Sequence, residues 1–249
     1  MYVLASKYTI PFFSYEWIIA NSFTCLVIVL LILVLRKSSK NSIDVFSKYF
    51  AFFLLLEFLF MQCYQVFYQS WTVIESMPFH LCNLMWFNSI YLLLTKKQWS
   101  FELMLFIGMP AAFHSLLTPQ LNHGNEFINV FDFFFGHGWL FACCFYCIFV
   151  LGMKPRITSW WHSFLRLQDI IIFVFVVNFT INYFSYGYIL PPSLDSPTSN
   201  YMYLLAPPLA DNPFVIGAWP SYLLGLMFAT FLHSFIIYLP FYFKKYFIK

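Results

Sequence analysis

The stretch EWIIANSFTCLVIVLLILVL occupies residues 16–35 and runs straight into Arg36 and Lys37. About 20 apolar residues, wound as a helix, cross the roughly 30 Å of hydrocarbon in a bilayer. The basic pair that ends the stretch marks the cytoplasmic face, because short loops rich in Lys and Arg stay inside. Six further apolar segments follow, at about 48–69, 78–95, 101–118, 131–153, 160–186 and 219–243. Lys40 and Lys48 join Arg36 and Lys37 between the first and second segments. Lys96 and Lys97 separate the third and fourth, and Lys154 and Arg156 separate the fifth and sixth. Arg166 lies just inside the sixth, and Lys244, Lys245 and Lys249 follow the seventh. Twelve of the thirteen basic residues thus fall on one side; Lys7 is the exception. The other connections carry only Glu75, Glu126, Asp195 and Asp211 as charged residues. The expected fold is all-α: a polytopic membrane bundle of seven transmembrane helices, N-terminus outside and C-terminus cytoplasmic, forming a single domain over residues 1–249 in the cell membrane.

Composition excludes the alternatives. The chain is 61% hydrophobic, 24% aromatic and only 9% charged, against about 25% charged in soluble domains. A transmembrane β-barrel would alternate apolar and polar residues over ten-residue segments, and these segments do not. The net charge of +3 is scattered singly and in pairs at segment ends, so it fixes topology and does not point to nucleic acid. The first segment lacks a basic leader and a small-residue cleavage site and reads as a span, not a signal peptide. Six cysteines, at 25, 63, 82, 143, 144 and 147, all lie inside apolar segments, which does not suit a disulfide framework. Cys143, Cys144 and Cys147 read as small packing residues; no metal or cofactor is expected.

One connection is long. Residues 187–218 hold six prolines, and by the topology above they form an extracellular loop. Its apolar core, Asn200-Tyr201-Met202-Tyr203-Leu204-Leu205, is expected to fold back onto the bundle. Depth along each span follows from about 1.5 Å per residue. On that count His80, Cys82 and Asn83 open the third segment at Pro78, and His114 closes the fourth. His137 lies early in the fifth, and Asn178 and Asn182 lie late in the sixth. Trp219 opens the seventh. With Gln62, Tyr64 and Gln65 of the second, all stand in the outer leaflet beneath the long loop. A single His in a bundle usually satisfies a neighbour. Polar residues from six helices at one depth imply a shared outward-opening pocket, since polar groups in a membrane face a cavity or a partner. Glu57, Arg166 and Asp169 lie deeper and are expected to pair with each other, with a proton path as the alternative. His162 and His233 fall on the inner half and receive no role, and the glycosylation pattern Asn178-Phe179-Thr180 is buried in a span.

The pocket carries the groups for thiol chemistry. Cys82 sits near a helix N-terminus, where the dipole favours negative charge, and a nucleophilic cysteine needs a base within hydrogen-bond reach. His80, two residues away on one helix, points elsewhere; His137 and His114 come from other helices at the right depth. Asn83, Tyr201 or backbone amides could hold an oxyanion. The natural acyl substrate at this depth is a membrane lipid.

Four local patterns carry a family resemblance: Met77-Pro78-Phe79-His80-Leu81-Cys82-Asn83, Gly136-His137-Gly138, Asn200-Tyr201-Met202-Tyr203-Leu204, and Trp219-Pro220-Ser221-Tyr222. From about residue 70 onward the chain resembles the YwaF-like bacterial integral membrane proteins. That family is distantly similar to a eukaryotic transmembrane acyltransferase that remodels ether phospholipids through a proposed cysteine nucleophile. The resemblance implies Cys82 as the acyl-carrying nucleophile and His137 as its base, in a phospholipid acyltransferase or acyl hydrolase. His80, Asn83, His114, Asn178, Asn182, Asn200, Tyr201 and Trp219 are the expected substrate-binding residues.

The competing reading is a transporter or small-molecule-binding membrane protein that uses the same pocket. Transporters usually show internal repeats and broken helices at the midplane. Pro110 could break the fourth segment, but no other segment mirrors it. A seven-helix receptor or rhodopsin is disfavoured, since the seventh segment has no Lys before Lys244 to form a retinal Schiff base.

Overall fold

The computed structural model describes residues 7–190, 192, 196–209 and 213–247. Pro191, Asp195, Asp211 and Lys249 lie outside the described residues. The chain is a helical bundle. It comprises α1 (Tyr15–Arg36), α2 (Lys40–Phe67), α3 (Leu81–Thr95), α4 (Gln98–Leu103), α5 (Met109–Leu117), α6 (Phe127–Phe149), α7 (Ser159–Tyr186) and α8 (Ser221–Phe247). Two short antiparallel strands, β1 (Tyr8–Thr9) and β2 (Gln120–Leu121), pair Tyr8 with Leu121. Ser14 and Ser39 cap α1 and α2 by accepting the amides of Trp17 and Ser42, as N-cap hydroxyls do. Gly187 ends α7 at φ 76°, a left-handed position that favours glycine.

Six helical runs are long and apolar enough to cross a membrane: α1, α2, the continuous run Gln98–Leu117, α6, α7 and most of α8. The expected third segment, 78–95, is helical only from Leu81. At 15 residues, α3 is about 22 Å long. Pro78 does not open the helix as its position suggested. The loop around Tyr201 claims that stretch instead: the Tyr201 hydroxyl accepts the Met77 amide at 2.9 Å and donates to the Val73 carbonyl at 2.8 Å.

The run Gln98–Leu117 is the centre of the bundle. Its apolar window is 67% buried, against 11% for α1. Phe101, Met104, Leu105, Phe106 and Ile107 pack there with Cys143, Cys144, Tyr146 and Cys147 of α6, all nearly inaccessible. Polar groups crossing this core are paired, as a lipid-embedded bundle requires. Ser47 and Tyr146 hydroxyls meet at 2.6 Å, the Trp139 indole donates to Ser89 Oγ at 3.1 Å, and the Trp86 indole donates to the Leu54 carbonyl at 3.2 Å.

The central run is not a regular helix. Residues Met104–Gly108 form a π-turn, in which the Met109 amide reaches back to the Met104 carbonyl. Pro110 is the cause on the sequence side: it has no N–H to give and its ring pushes against the carbonyl four residues back. That carbonyl belongs to Phe106, and Ser234 of α8 donates to it at 2.9 Å.

At the end marked by basic residues, Glu102 is almost fully buried and accepts the Arg156 guanidinium at 2.7 Å and its backbone amide at 2.9 Å. Lys96 pairs with Asp44. The expected trio of Glu57, Arg166 and Asp169 does not form. Arg166 stands 5.6 Å over the Trp99 ring, and Glu57 lines the cavity beside Asp132. The reason is placement: α2 packs on α3, whereas α7 packs on α8 and the central run.

Candidate active site

A cavity of about 500 Å³ opens among α2, α3, α5, α6 and α8. Cys82 and Asn83 reach it from the first turn of α3, and His80 from its N-cap position. His114 and Ser115 reach it from α5 and His137 from α6. Pro110 and Ala111 border the same space, so the π-turn sets the rotation at which His114 and Ser115 enter.

The Cys82 thiol and the His137 imidazole line the same cavity and interact electrostatically. His137 Nδ1 lies 2.7 Å from the Phe133 carbonyl oxygen. A carbonyl can only accept, so Nδ1 carries the hydrogen and Nε2 keeps the free lone pair. One turn of α6 thereby fixes the tautomer in which the imidazole acts as a base. Ser115 Oγ lies 3.8 Å from Cys82 Sγ and donates to the Ala111 carbonyl. His80, at the N-cap, forms no side-chain cap to α3; its Nδ1 accepts the Met202 amide at 3.3 Å. No side-chain cap covers the first amides of α3, and uncapped amides at a helix start can receive negative charge.

His114 meets His233, a residue that counting along the seventh segment puts in the inner half. Its Nε2 lies 3.4 Å from Nε2 of His233 on α8, and Phe214 packs against both rings. His233 is twelve residues into α8, while His114 is three residues from the end of α5. Counting depth from helix starts assumes that all helices begin at one level, and α8 begins farther out.

Glu57 and Asp132 also line the cavity, together with Glu75, Gln65, Asn129 and His123. Burial holds the His123 imidazole below its usual range, against the opposing pull of Glu75 and Asp132. Asn129 and His123 carry no depth signal from sequence, because they lie before the apolar segment that begins at about residue 131.

Asn178, Asn182, Asn200, Tyr201 and Trp219 lie outside the cavity lining. Asn178 and Asn182 are fully buried and fasten the long loop. Asn178 donates to the Tyr201 carbonyl at 3.0 Å and accepts from the Tyr201 amide and the Ser199 hydroxyl, each at 2.9 Å. Asn182 accepts the Ser199 amide at 2.6 Å. Asn200 accepts the amides of Leu205 and Ala206, and the Trp219 indole donates to the Leu204 carbonyl at 2.9 Å. Tyr201 is fully buried and packs edge-on against His80 with ring centres 5.2 Å apart. The loop therefore folds back onto the bundle. It roofs the cavity with Met202, Tyr203 and Leu204. Met202 and Tyr203 hold φ of 60° and 55°, strained values for side-chain-bearing residues that persist only where surroundings enforce them.

The family model of the TMEM164 family matches residues 12–238. The chain belongs to the TMEM164 family. The roofed cavity and the membrane-length helices fall within the matched residues, except for the end of α8 beyond residue 238. No curated protein and no solved structure matches this TMEM164-family chain.

Proposed function

We propose that this multi-pass membrane protein is a thiol-dependent lipid acyltransferase or acyl hydrolase, working in the outer half of the cell membrane. The observation that carries the reading is that Cys82 and His137 meet in one cavity, with the His137 tautomer set by the Phe133 carbonyl. His137 takes the thiol proton as Cys82 Sγ attacks the ester carbonyl of a phospholipid. The carbonyl becomes a tetrahedral oxyanion beside the first amides of α3 and the Asn83 side chain. The intermediate collapses, the C–O bond breaks, and the lyso-lipid alcohol leaves with the proton from His137. The acyl chain stays on Cys82 as a thioester. A second lipid alcohol or water, deprotonated by His137, then takes the acyl group and restores the thiol. The resemblance to YwaF-like proteins, and through them to an ether-phospholipid acyltransferase, supports the same two residues. In this reading α3, extended by residues 78–80, completes a seventh crossing, which puts the N-terminus outside and the C-terminus in the cytoplasm. His114 borders the substrate path in the cavity, while Asn178, Asn182, Asn200, Tyr201 and Trp219 act by holding its roof.

A ligand-binding or transport role is the second reading; it rests on the unpartnered polar atoms in the cavity wall. Proteoliposomes of defined phospholipid decide between them. The enzyme reading expects lyso-lipid release by the intact protein and none by Cys82→Ala. Equal release, or none from either folded protein, contradicts it.

A further inference from the structure

Two tyrosines stand in the loop that roofs the cavity, and their hydroxyls differ. The Tyr201 hydroxyl is committed, since it accepts the Met77 amide and donates to the Val73 carbonyl. Tyr203 lines the cavity. Its ring lies against His80, the N-cap of α3, with ring centres 5.3 Å apart. Its hydroxyl oxygen accepts Gln120 Nε2 of β2 at 3.2 Å. The side chain thus bridges the start of α3 to β2. Cys82 follows His80 in the first turn of α3, and Ser115 precedes Gln120 at the end of α5. Both line the same space and lie 3.8 Å apart.

Gln120 decides which way the Tyr203 hydroxyl works. The Leu209 backbone amide donates to Gln120 Oε1 at 2.7 Å. A backbone amide can only donate, so the carboxamide oxygen faces Leu209 and the nitrogen faces Tyr203. That nitrogen also donates to Asn122 Oδ1 at 3.1 Å. The Tyr203 oxygen is therefore the acceptor in its bond with Gln120, and its own hydrogen points away from Gln120, toward the cavity that the ring lines. Burial pushes the Tyr203 phenol up to about 12, against the pull of the Asn122 amide, so the hydrogen stays in place at neutral pH. The strained backbone is pinned on both sides. The Met202 amide donates to His80 Nδ1, and the Tyr222 hydroxyl donates to the Tyr203 carbonyl. Enforced strain of this kind is retained where a side chain has to be aimed.

We propose that Tyr203 is a further catalytic residue, whose hydroxyl donates a hydrogen bond to the oxyanion that forms when Cys82 attacks an ester. The proposal rests on the thiol reading of the site. As the Sγ–C bond forms, the carbonyl π pair moves onto oxygen and the thiol proton passes to His137. The oxyanion accepts a hydrogen bond from Tyr203 and takes no proton from it. On collapse the electron pair returns, the C–O bond breaks and the acyl group stays on Cys82. A donor held in place beforehand, in a site closed to water, stabilises developing charge more than water does.

Two reagents for Cys82 separate this role from a structural one. p-Nitrophenyl octanoate acylates a thiol through a tetrahedral oxyanion. Iodoacetamide alkylates it by displacement at carbon and forms no oxyanion. Both are followed by peptide mass mapping on the full chain in nanodiscs, with Cys25 and Cys63 replaced by Ala. Tyr203→Phe removes only the hydroxyl. The expected result is acylation of Cys82 slowed at least about tenfold, toward the roughly hundredfold loss typical of one oxyanion donor, with alkylation within about twofold of the parent. Gln120→Glu keeps the ring and still accepts the Leu209 amide, but it offers Tyr203 an acceptor in place of a donor. It should draw the hydrogen away and slow acylation with the same selectivity, and it keeps the test open should Tyr203→Phe fail to fold. Acylation slowed by less than about tenfold, or acylation and alkylation slowed alike, overturns the role of Tyr203 and leaves the thiol reading in place. A parent protein that is alkylated at Cys82 but never acylated there overturns both.

Discussion

His137 has two ring nitrogens with different tasks: Nδ1 is committed to the Phe133 carbonyl, and the lone pair on Nε2 remains for a proton. His137→Asn removes the base while keeping a polar side chain at the same place. Its turnover of phospholipid should fall about 100-fold or more, the usual share of a general base. Alkylation of Cys82 by iodoacetamide, followed by peptide mass mapping with Cys25 and Cys63 replaced by Ala, should slow in parallel. Unchanged alkylation would remove His137 from the mechanism. Asn178 belongs to a different class. Its carboxamide makes three hydrogen bonds to Ser199 and Tyr201, so Asn178→Ala should destabilise the protein by about 2–4 kcal/mol. The measurable signs are a lower melting temperature and faster proteolysis within residues 196–209. Counting along the apolar segments puts Cys82 and His137 at one depth, and both line the cavity. It could not show that Glu57 stands beside Asp132, because that depends on how helices rotate against each other. Asn178 and Asn182 show the converse: depth placed them correctly in the outer half, but their buried face meets the loop instead of the cavity.

At the level of elements, the interruption between α4 and α5 controls the site. A π-turn carries one extra residue, which rotates everything beyond it by about 100° relative to a continuous α-helix. Pro110→Ala restores the missing N–H and allows the helix to regularise. His114 and Ser115 should then swing away from the cavity, and Cys82 alkylation should change because Ser115 leaves its thiol. Ser234→Ala should leave the Phe106 carbonyl unpaired and cost about 1–3 kcal/mol, seen as a lower melting temperature. Pro110 announces a break in the sequence. The partner that makes the break tolerable, Ser234, lies more than a hundred residues away and carries no signal of its own. The same limit applies to α3: an apolar run from Pro78 reads as a full span, yet its first residues are held by Tyr201, which no local pattern reveals.

Across the whole molecule, the basic residues and the roofed cavity assign the two faces. Arg36, Lys96, Lys97, Lys154 and Arg156 mark one end, and the cavity with its loop marks the other. In intact cells carrying a variant without Cys25, Cys63 and Cys82, a membrane-impermeant maleimide should label a cysteine placed at Tyr188. A cysteine placed at Lys154 should be labelled only after permeabilisation. The reverse pattern would invert the topology and move the cavity to the cytoplasmic leaflet. That the chain is a helical membrane bundle was legible from composition alone. The count of crossings was not, because α3 is short and its extension is loop.

The central claim is that Cys82 carries an acyl group. The direct measurement is intact-mass analysis of purified protein mixed with membrane phospholipids and quenched in acid within seconds, so that hydrolysis cannot clear the intermediate. The account predicts a fatty-acyl mass increment on the intact protein, located on Cys82, released by hydroxylamine and absent from Cys82→Ala. An increment that persists in Cys82→Ala, or its absence under rapid quench from protein that releases lyso-lipid, would contradict it.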